Sequence, residues 1–271
     1  MLADLGEDCR LMAGGTALML AMRQRMLVPG SIVSLARLDS LRGIEWDPQQ
    51  GLRIGSLCKH SEVASSPLVR QHHPVLAAMA AGLANPQVRN QGTLGGNLCY
   101  ADPATDPPGC LMALGASVVL AGAKGQRTLA MQDFLVDYYT TALEPDEVLV
   151  AVLVPPLAAD GRAHYQRFLR TAAEHRPLVN VSLVVRLQGA TCIESRFVVG
   201  ASVAVPARVA GVEEILAGKK VTRDLIEEAA NAAAQGIDAI SDMRGSAEFR
   251  RDMVRVVAQR SLCAVFGLPT D

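Results

Sequence analysis

Two glycine-rich segments carry the chemistry that is easiest to read in this chain. Ala13-Gly14-Gly15-Thr16 stands between a short apolar run and a helix-like stretch. Gly92-Thr93-Leu94-Gly95-Gly96-Asn97 lies within a longer irregular stretch. Glycine has no Cβ, so paired glycines let backbone N–H groups come close to a bulky anion. Amides at a helix start, or in a nest of successive N–H groups, bind phosphate oxygens. The side chains of Thr16, Thr93 and Asn97 add hydrogen-bonding groups. Two such loops acting on one diphosphate need neither lysine nor metal, which suits a dinucleotide held by neutral donors. Taken singly, each loop also reads as a tight turn, and neither follows G-x-G-x-x-G or the P-loop pattern.

The elements that must position these loops follow from periodicity and capping. Arg10 to Ala13 reads as a short strand, and Thr16 as the cap of a helix running to about Arg25. Ser31–Leu35 and Gly51–Leu57 read as further strands, and Pro74–Ala84, apolar nearly all round, as a buried helix. Asn85–Pro108 has little periodicity and is long for a loop inside a compact domain, which points to function. A helix at Gly109–Leu114 and strands at Ser117–Ala121 and Val148–Val154 come next, ended by Pro155-Pro156. After a linker, Ala163–Leu169, Val179–Leu187 and Cys192–Gly200 read as three strands at meander spacing, with Gln188-Gly189 as a hairpin turn. Helices at Ala207–Leu216, Thr222–Ile237 and Ser246–Phe266 complete the chain, the last with Phe249, Met253, Val256, Val257 and Cys263 along one face. Strands followed by helices make an α+β class with helices packed on a sheet face.

Composition narrows the function. The 271 residues suit one to two domains, and half of them are hydrophobic. The formal net charge is −1, without the basic surplus that nucleic-acid binding or a polybasic membrane surface requires. Only 4% of residues are aromatic, so a base-stacking platform is not expected. No apolar run reaches the length of a membrane span, and Met1–Gly15 has acidic residues in place of a basic leader, so a secretory signal is not expected either. The six cysteines, at 9, 58, 99, 110, 192 and 263, have no C-x-x-C spacing and read as reduced thiols of a cytoplasmic protein. His72-His73 are adjacent and point apart on a helix, so no metal site is expected, and no Ser or Cys nucleophile motif is present.

Here the residues reach a resemblance. Pro86-Gln87-Val88-Arg89-Asn90-Gln91-Gly92-Thr93-Leu94-Gly95-Gly96-Asn97-Leu98 resembles the second FAD-binding loop of the molybdenum hydroxylase flavoproteins, of the xanthine dehydrogenase and carbon monoxide dehydrogenase type. Ala101-Asp102-Pro103-Ala104-Thr105-Asp106-Pro107-Pro108 resembles the acidic-proline element that follows it, and Leu11-Met12-Ala13-Gly14-Gly15-Thr16 the first loop. Ile54-Gly55-Ser56-Leu57 with His60, the stretch from Arg167 to Ser182, and Gly245-Ser246-Ala247-Glu248-Phe249-Arg250-Arg251 are similar in the same order along the chain.

The resemblance implies a two-lobed PCMH-type FAD-binding domain over 1–157, with subdomains of about 1–50 and 51–157. It implies an antiparallel three-stranded sheet with a helical bundle over 163–271. Carried over by position, Met12, Ala13, Gly14, Gly15, Thr16 and Ala17, with Thr93, Gly95, Gly96 and Asn97, would hold the FAD pyrophosphate. Asp106 would bind the ribityl or ribose side, Leu83 would lie against a ring, and Leu149 would contact the adenine or flavin region. Arg170 would place a positive charge near the isoalloxazine and stabilise its reduced, anionic form. Ala17, where relatives often carry a polar residue, and Ala172–Pro177, which lacks the family's Arg-x-x-x-Asp pattern, are departures. The implied job is electron transfer, from iron–sulfur clusters of a small partner subunit, through FAD, to an external acceptor. Substrate oxidation would sit in a molybdopterin-binding large subunit, and no residue of this chain is expected to be catalytic. A stand-alone flavin oxidoreductase and a flavin-free interaction module remain the alternatives.

Overall fold

The computed structural model describes residues 8–171 and 173–269. The readings that fall on Met1–Glu7, Ala172, Thr270 and Asp271 lie outside the described residues. The chain forms two compact units. One comprises 8–102 and Ala116–Pro156, the other Pro103–Gly115 and 157–269.

In the first unit, Cys9–Met12 pairs in parallel with Ser31–Ser34, and the helix Leu18–Arg23 lies between them in sequence. A five-stranded antiparallel sheet follows, in the order Ile44–Asp47, Gly51–Gly55, Val148–Val154, Ser117–Gly122, Gly125–Ala130. Val152 sits opposite both Ile54 and Val118, so one row of β-branched side chains crosses the sheet, and all three are fully buried. The helix Pro74–Gly82 buries Leu76, Ala77, Met79 and Ala80, as its apolar composition demands.

The stretch read as irregular contains short helices at Pro86–Gln91 and Leu94–Tyr100, and a third begins at Pro107. Each of the first two is fixed by a cap. The Asn85 Oδ1 accepts from the Val88 amide at 2.9 Å, and the Thr93 Oγ1 accepts from the Gly96 amide at 3.1 Å. Helices of six and seven residues are too short to register as a period, which is why the sequence reads as loop.

In the second unit, Gly161–Phe168, Val179–Gln188 and Thr191–Gly200 form an antiparallel meander. Two short strands, Ala207–Arg208 and Lys219–Lys220, add to Thr191–Gly200. Gly189, with φ +61°, makes the hairpin turn. One face of this sheet, with Val181, Leu183, Val185, Phe197 and Val199, packs on helices Ala210–Leu216, Arg223–Gln235 and Ala247–Phe266. The other face packs on the helix Pro107–Ala113, where Gly109 lets the backbone approach Asn180 and Val198. Sequence order groups that helix with the first domain, but its seven buried residues pack against the second unit's sheet.

The long last helix buries Val257 and Cys263 of the expected face and packs Met253 against the core, but turns Arg250 and Val254 inward and leaves Phe249 out. Arg250, Val254, Val257, Ala258, Ser261 and Leu262 are buried, while Phe249 is exposed. Arg250 belongs inside because its Nη1 donates to the Leu178 and Ala201 carbonyls at 3.0 and 2.8 Å, and its Nη2 lies 2.7 Å from Asp242 Oδ1. Among the described residues, no helix is long and apolar enough to cross a membrane.

Candidate functional site

The strand Cys9–Met12 delivers the chain into the first glycine loop, where Gly15 adopts φ +71°, a conformation glycine takes without strain. The helix that follows has its cap position at Ala17, one residue beyond the expected Thr16, and an alanine supplies no side-chain acceptor. Among the described residues, the amides of Gly14, Gly15 and Thr16 meet no acceptor of the chain, and neither does the Thr16 hydroxyl. Three consecutive donors and an uncapped helix start therefore lie together with no acceptor among the described residues.

The second loop is stitched to the segment after strand Gly51–Gly55. The Leu94 amide donates to the Cys58 carbonyl at 2.9 Å, the Gly95 amide to the Ser56 carbonyl at 2.9 Å, and the His60 amide to the Gly92 carbonyl at 3.1 Å. The Asn97 amide donates to the Thr93 carbonyl at 3.0 Å. The amides of Gly92, Leu94, Gly95, Gly96 and Asn97 are thus engaged by the chain, in contrast to the expectation that both loops offer bare backbone. Its contribution is a frame and the side chains of Thr93 and Asn97.

The two loops abut. Gln91 Nε2 donates to the Gly14 carbonyl at 2.9 Å. A Cβ on Gly14 would lie 2.1 Å from the Gln91 carbonyl oxygen, and one on Gly96 would lie 3.4 Å from the Ala13 Cβ. A Cβ on Gly95 would lie 2.5 Å from the Ser56 Cβ. Met12 closes the near side, its Sδ 3.2 Å from where a Gly15 Cβ would stand. These glycines allow backbone to touch backbone, and that packing sets the open amides of the first loop beside the second.

This donor set fits a dinucleotide diphosphate. It offers consecutive amides beside the neutral side chains of Thr16, Thr93 and Asn97, with Lys59 bridged to Thr93 by the backbone. The Ser56 Oγ, buried beneath Gly95, has no partner among the described residues. His60 is 3% exposed, and burial alone lowers its ring pKa to about 4, so it is neutral at pH 7.

Other expected site residues sit elsewhere. Leu83 ends the helix Pro74–Gly82, is buried, and its carbonyl accepts from Arg89 Nη1 at 2.7 Å. Leu149 is buried in the central strand of the first unit, opposite Leu120. Asp106 and Arg170 belong to the second unit. Asp106 is 1% exposed and enclosed by partners. Tyr165 donates its hydroxyl to Oδ1, Arg167 Nη1 lies 3.0 Å from Oδ2, and Asn180 Nδ2 lies 3.5 Å from Oδ1. Burial pushes the Asp106 carboxyl above its ordinary range, against the pull of these three donors, and pushes the Tyr165 phenol well up. Asp106 occupies the cap position of helix Pro107–Ala113, but its side chain makes no capping bond.

Arg170 is exposed, with Nε donating to Glu174 Oε1 at 2.9 Å and Nη1 to the Arg244 carbonyl at 2.9 Å. Its charge is matched by Glu174, whose carboxyl it holds below the usual range.

Sequence reading missed Arg167 and Tyr165. Both lie on strand Gly161–Phe168 two residues apart, so they share the face that meets Asp106. That alternation was visible as Tyr-x-Arg, but nothing in sequence said what lay opposite. Gln91, the residue that ties the two loops together, was likewise unmarked.

Comparisons with known proteins bear on this arrangement. Residues 1–157 match the model of the FAD binding domain in molybdopterin dehydrogenase, and residues 163–265 that of the CO dehydrogenase flavoprotein C-terminal domain. The chain is 33% identical over 264 residues to the alpha subunit of the 6-hydroxypseudooxynicotine dehydrogenase complex of Paenarthrobacter nicotinovorans, covering 97% of this chain and 88% of that one. It is 32% identical to the carbon monoxide dehydrogenase medium chain of Hydrogenophaga pseudoflava, covering 98% and 92%. The solved structure of carbon monoxide dehydrogenase from that organism superposes with a TM-score of 0.94 at 32% identity, over 98% of this chain and 92% of that one. Quinoline 2-oxidoreductase from Pseudomonas putida 86 superposes with a TM-score of 0.91 at 29% identity, over 98% and 92%.

Proposed function

The chain belongs to the FAD-binding flavoprotein family of the molybdopterin dehydrogenases, and from that premise we propose that it is the electron-transfer subunit of a cytoplasmic molybdenum hydroxylase. Its cofactor is FAD, and it is an oxidoreductase component. Its partners are an iron–sulfur small subunit and a molybdopterin-binding large subunit, a reading supported by relatives named as medium chains and complex subunits. When bound, FAD would supply the redox chemistry that links the clusters to an external acceptor.

The chain's own work is binding and placement. The amides of Gly14, Gly15 and Thr16 donate to the diphosphate, and Met12, Ala13 and Ala17 shape that loop. Thr93, Gly95, Gly96 and Asn97 form the wall against it, which the engaged amides of that loop keep rigid. Leu83 and Leu149 act from the apolar interior of the first unit. On the second unit the candidates are Asp106 and Arg170 by resemblance, with Arg167 a further cation, half-buried against Asp106. The observation that carries the reading is the open row of amides in the first loop, set beside the second by the contact of Gly14 with Gln91.

The test is direct. The purified chain should be yellow, or take up added FAD, and denaturation should release FAD. A colourless chain that refuses FAD refutes the proposal. Native purification should recover iron–sulfur and molybdenum subunits with it, and recovery of a lone monomer under mild conditions refutes the assembly.

A further inference from the structure

The helix Pro86–Gln91 carries the side chain that ties the two loops together, yet none of its residues is buried. Six residues are also too few for a helix to stand by itself. Three polar anchors hold it. At its start the Asn85 Oδ1 accepts from the Val88 amide, and at its end Gln91 donates to the Gly14 carbonyl. The third anchor is half-buried Arg89. Its Nη1 reaches back past the helix start and donates to the Leu83 and Ala84 carbonyls, at 2.7 and 2.9 Å.

Those carbonyls belong to a strained turn. Ala84 adopts φ +43°, the left-handed region that a residue with a Cβ disfavours and that persists only where the surroundings impose it. The turn follows the helix Pro74–Gly82, which buries Leu76, Ala77, Met79 and Ala80, and Leu83 itself is buried. One end of the Arg89 clamp is thus fixed to the core of the first unit. The other end is the helix whose last residue meets Gly14. A cation suits the place, because the carbonyls at a helix C-terminus carry partial negative charge.

We propose that Arg89 is a positioning residue for the bound dinucleotide. By clamping the Leu83–Ala84 turn it sets where the helix Pro86–Gln91 lies, and through the Gln91–Gly14 contact it holds the first loop's amides in place. The inference rests on the reading of this site as the FAD site and deepens it. Without the clamp, the FAD-free chain samples other placements of the helix, and binding must first select the competent one. With that placement populated at roughly 1–10%, apparent affinity falls by the reciprocal, about 10- to 100-fold.

The test is a double-mutant cycle on FAD affinity, read by flavin fluorescence titration of full-length wild type, Arg89→Met, Gln91→Ala and the double variant. Melting of the FAD-free forms establishes that each is folded. Arg89→Met should weaken binding about 10- to 100-fold. Anchors of one helix back each other up, so the two effects should not simply multiply. Gln91→Ala should cost under about 2-fold in wild type, where Arg89 still holds the helix, and about 5-fold in Arg89→Met. Arg89→Lys, which keeps a cationic donor, should recover most of the loss. An Arg89→Met chain that binds FAD like wild type overturns the proposal. So does an equal cost of Gln91→Ala in both chains, because that marks Arg89 as an independent packing residue. So does Arg89→Lys failing as fully as Arg89→Met. A wild-type chain that binds no FAD overturns the underlying site reading as well, which separates the two failures. If Arg89→Met does not fold, Arg89→Gln, which keeps an N–H donor, takes its place in the cycle, and the same outcomes decide.

Discussion

Replacing Gly14 by alanine probes the contact on which the site depends. The new Cβ would lie 2.1 Å from the Gln91 carbonyl oxygen and 2.9 Å from the Gln91 carbonyl carbon and the Gly92 Cα. All three are backbone atoms, so no side chain can swing aside, and the loops must part by roughly 1 Å to restore normal contact. Overpacking of this kind costs about 1–3 kcal/mol, and the Gln91–Gly14 hydrogen bond, about 1 kcal/mol more, is stretched with it. The same displacement moves the amides that would hold the diphosphate. Charge-assisted bonds are steep in distance, so FAD affinity should fall by roughly 100-fold, about 3 kcal/mol. Fluorescence titration measures the affinity, and melting of the FAD-free chain measures the packing cost. Gly211→Ala is the control, since nothing lies within 4 Å of its Cβ position. It sits in the helix Ala210–Leu216, where alanine should stabilise by about 0.5–1 kcal/mol. Wild-type FAD affinity in Gly14→Ala would refute the claim that loop apposition makes the site.

Further expectations follow from the same structure. Arg167→Met leaves the Asp106 carboxylate buried without its cation and should cost about 3–5 kcal/mol by urea denaturation, unless Asp106 takes up a proton. Arg170→Met breaks an exposed pair with Glu174 and an exposed bond to the Arg244 carbonyl and should cost no more than about 1 kcal/mol, so a large loss of melting temperature would contradict the charge matching described. Burial lowers the His60 and His73 rings to about 4, in His73 against the pull of the Pro155 carbonyl. Below pH 6.5 the unfolded chain takes up protons that the folded one refuses, so stability present above 6.5 should be lost as pH falls towards 4, about 3 kcal/mol for each ring in full. Equal urea midpoints at pH 7 and pH 4.5 would exclude this. Ser246→Ala removes the acceptor for the Phe249 amide at the start of the last helix and should cost about 1 kcal/mol, read from thermal melting.

What was legible in the sequence was local. Strands such as Val148–Val154 and the three-strand meander announce themselves through apolar runs and a glycine turn, because burial on a sheet face demands them. Caps such as Thr222 and Ser246 mark helix starts, because their side chains satisfy amides within three residues. The short helices between Pro86 and Tyr100 escaped, because six or seven residues give no readable period.

The sequence by itself determined the family, through the order of its motifs, and with it the cofactor. It determined that two glycine loops matter. Tertiary structure alone decided what each loop does. The second loop spends its amides on Ser56 and Cys58, residues more than thirty positions earlier, and only the first keeps a row of donors open. It also decided which arginine is buried, because Arg167 meets an aspartate some sixty residues before it while Arg170 meets Glu174 within a turn. Partners distant in sequence meet only through the fold, and a hydrogen bond or ion pair is a property of the meeting.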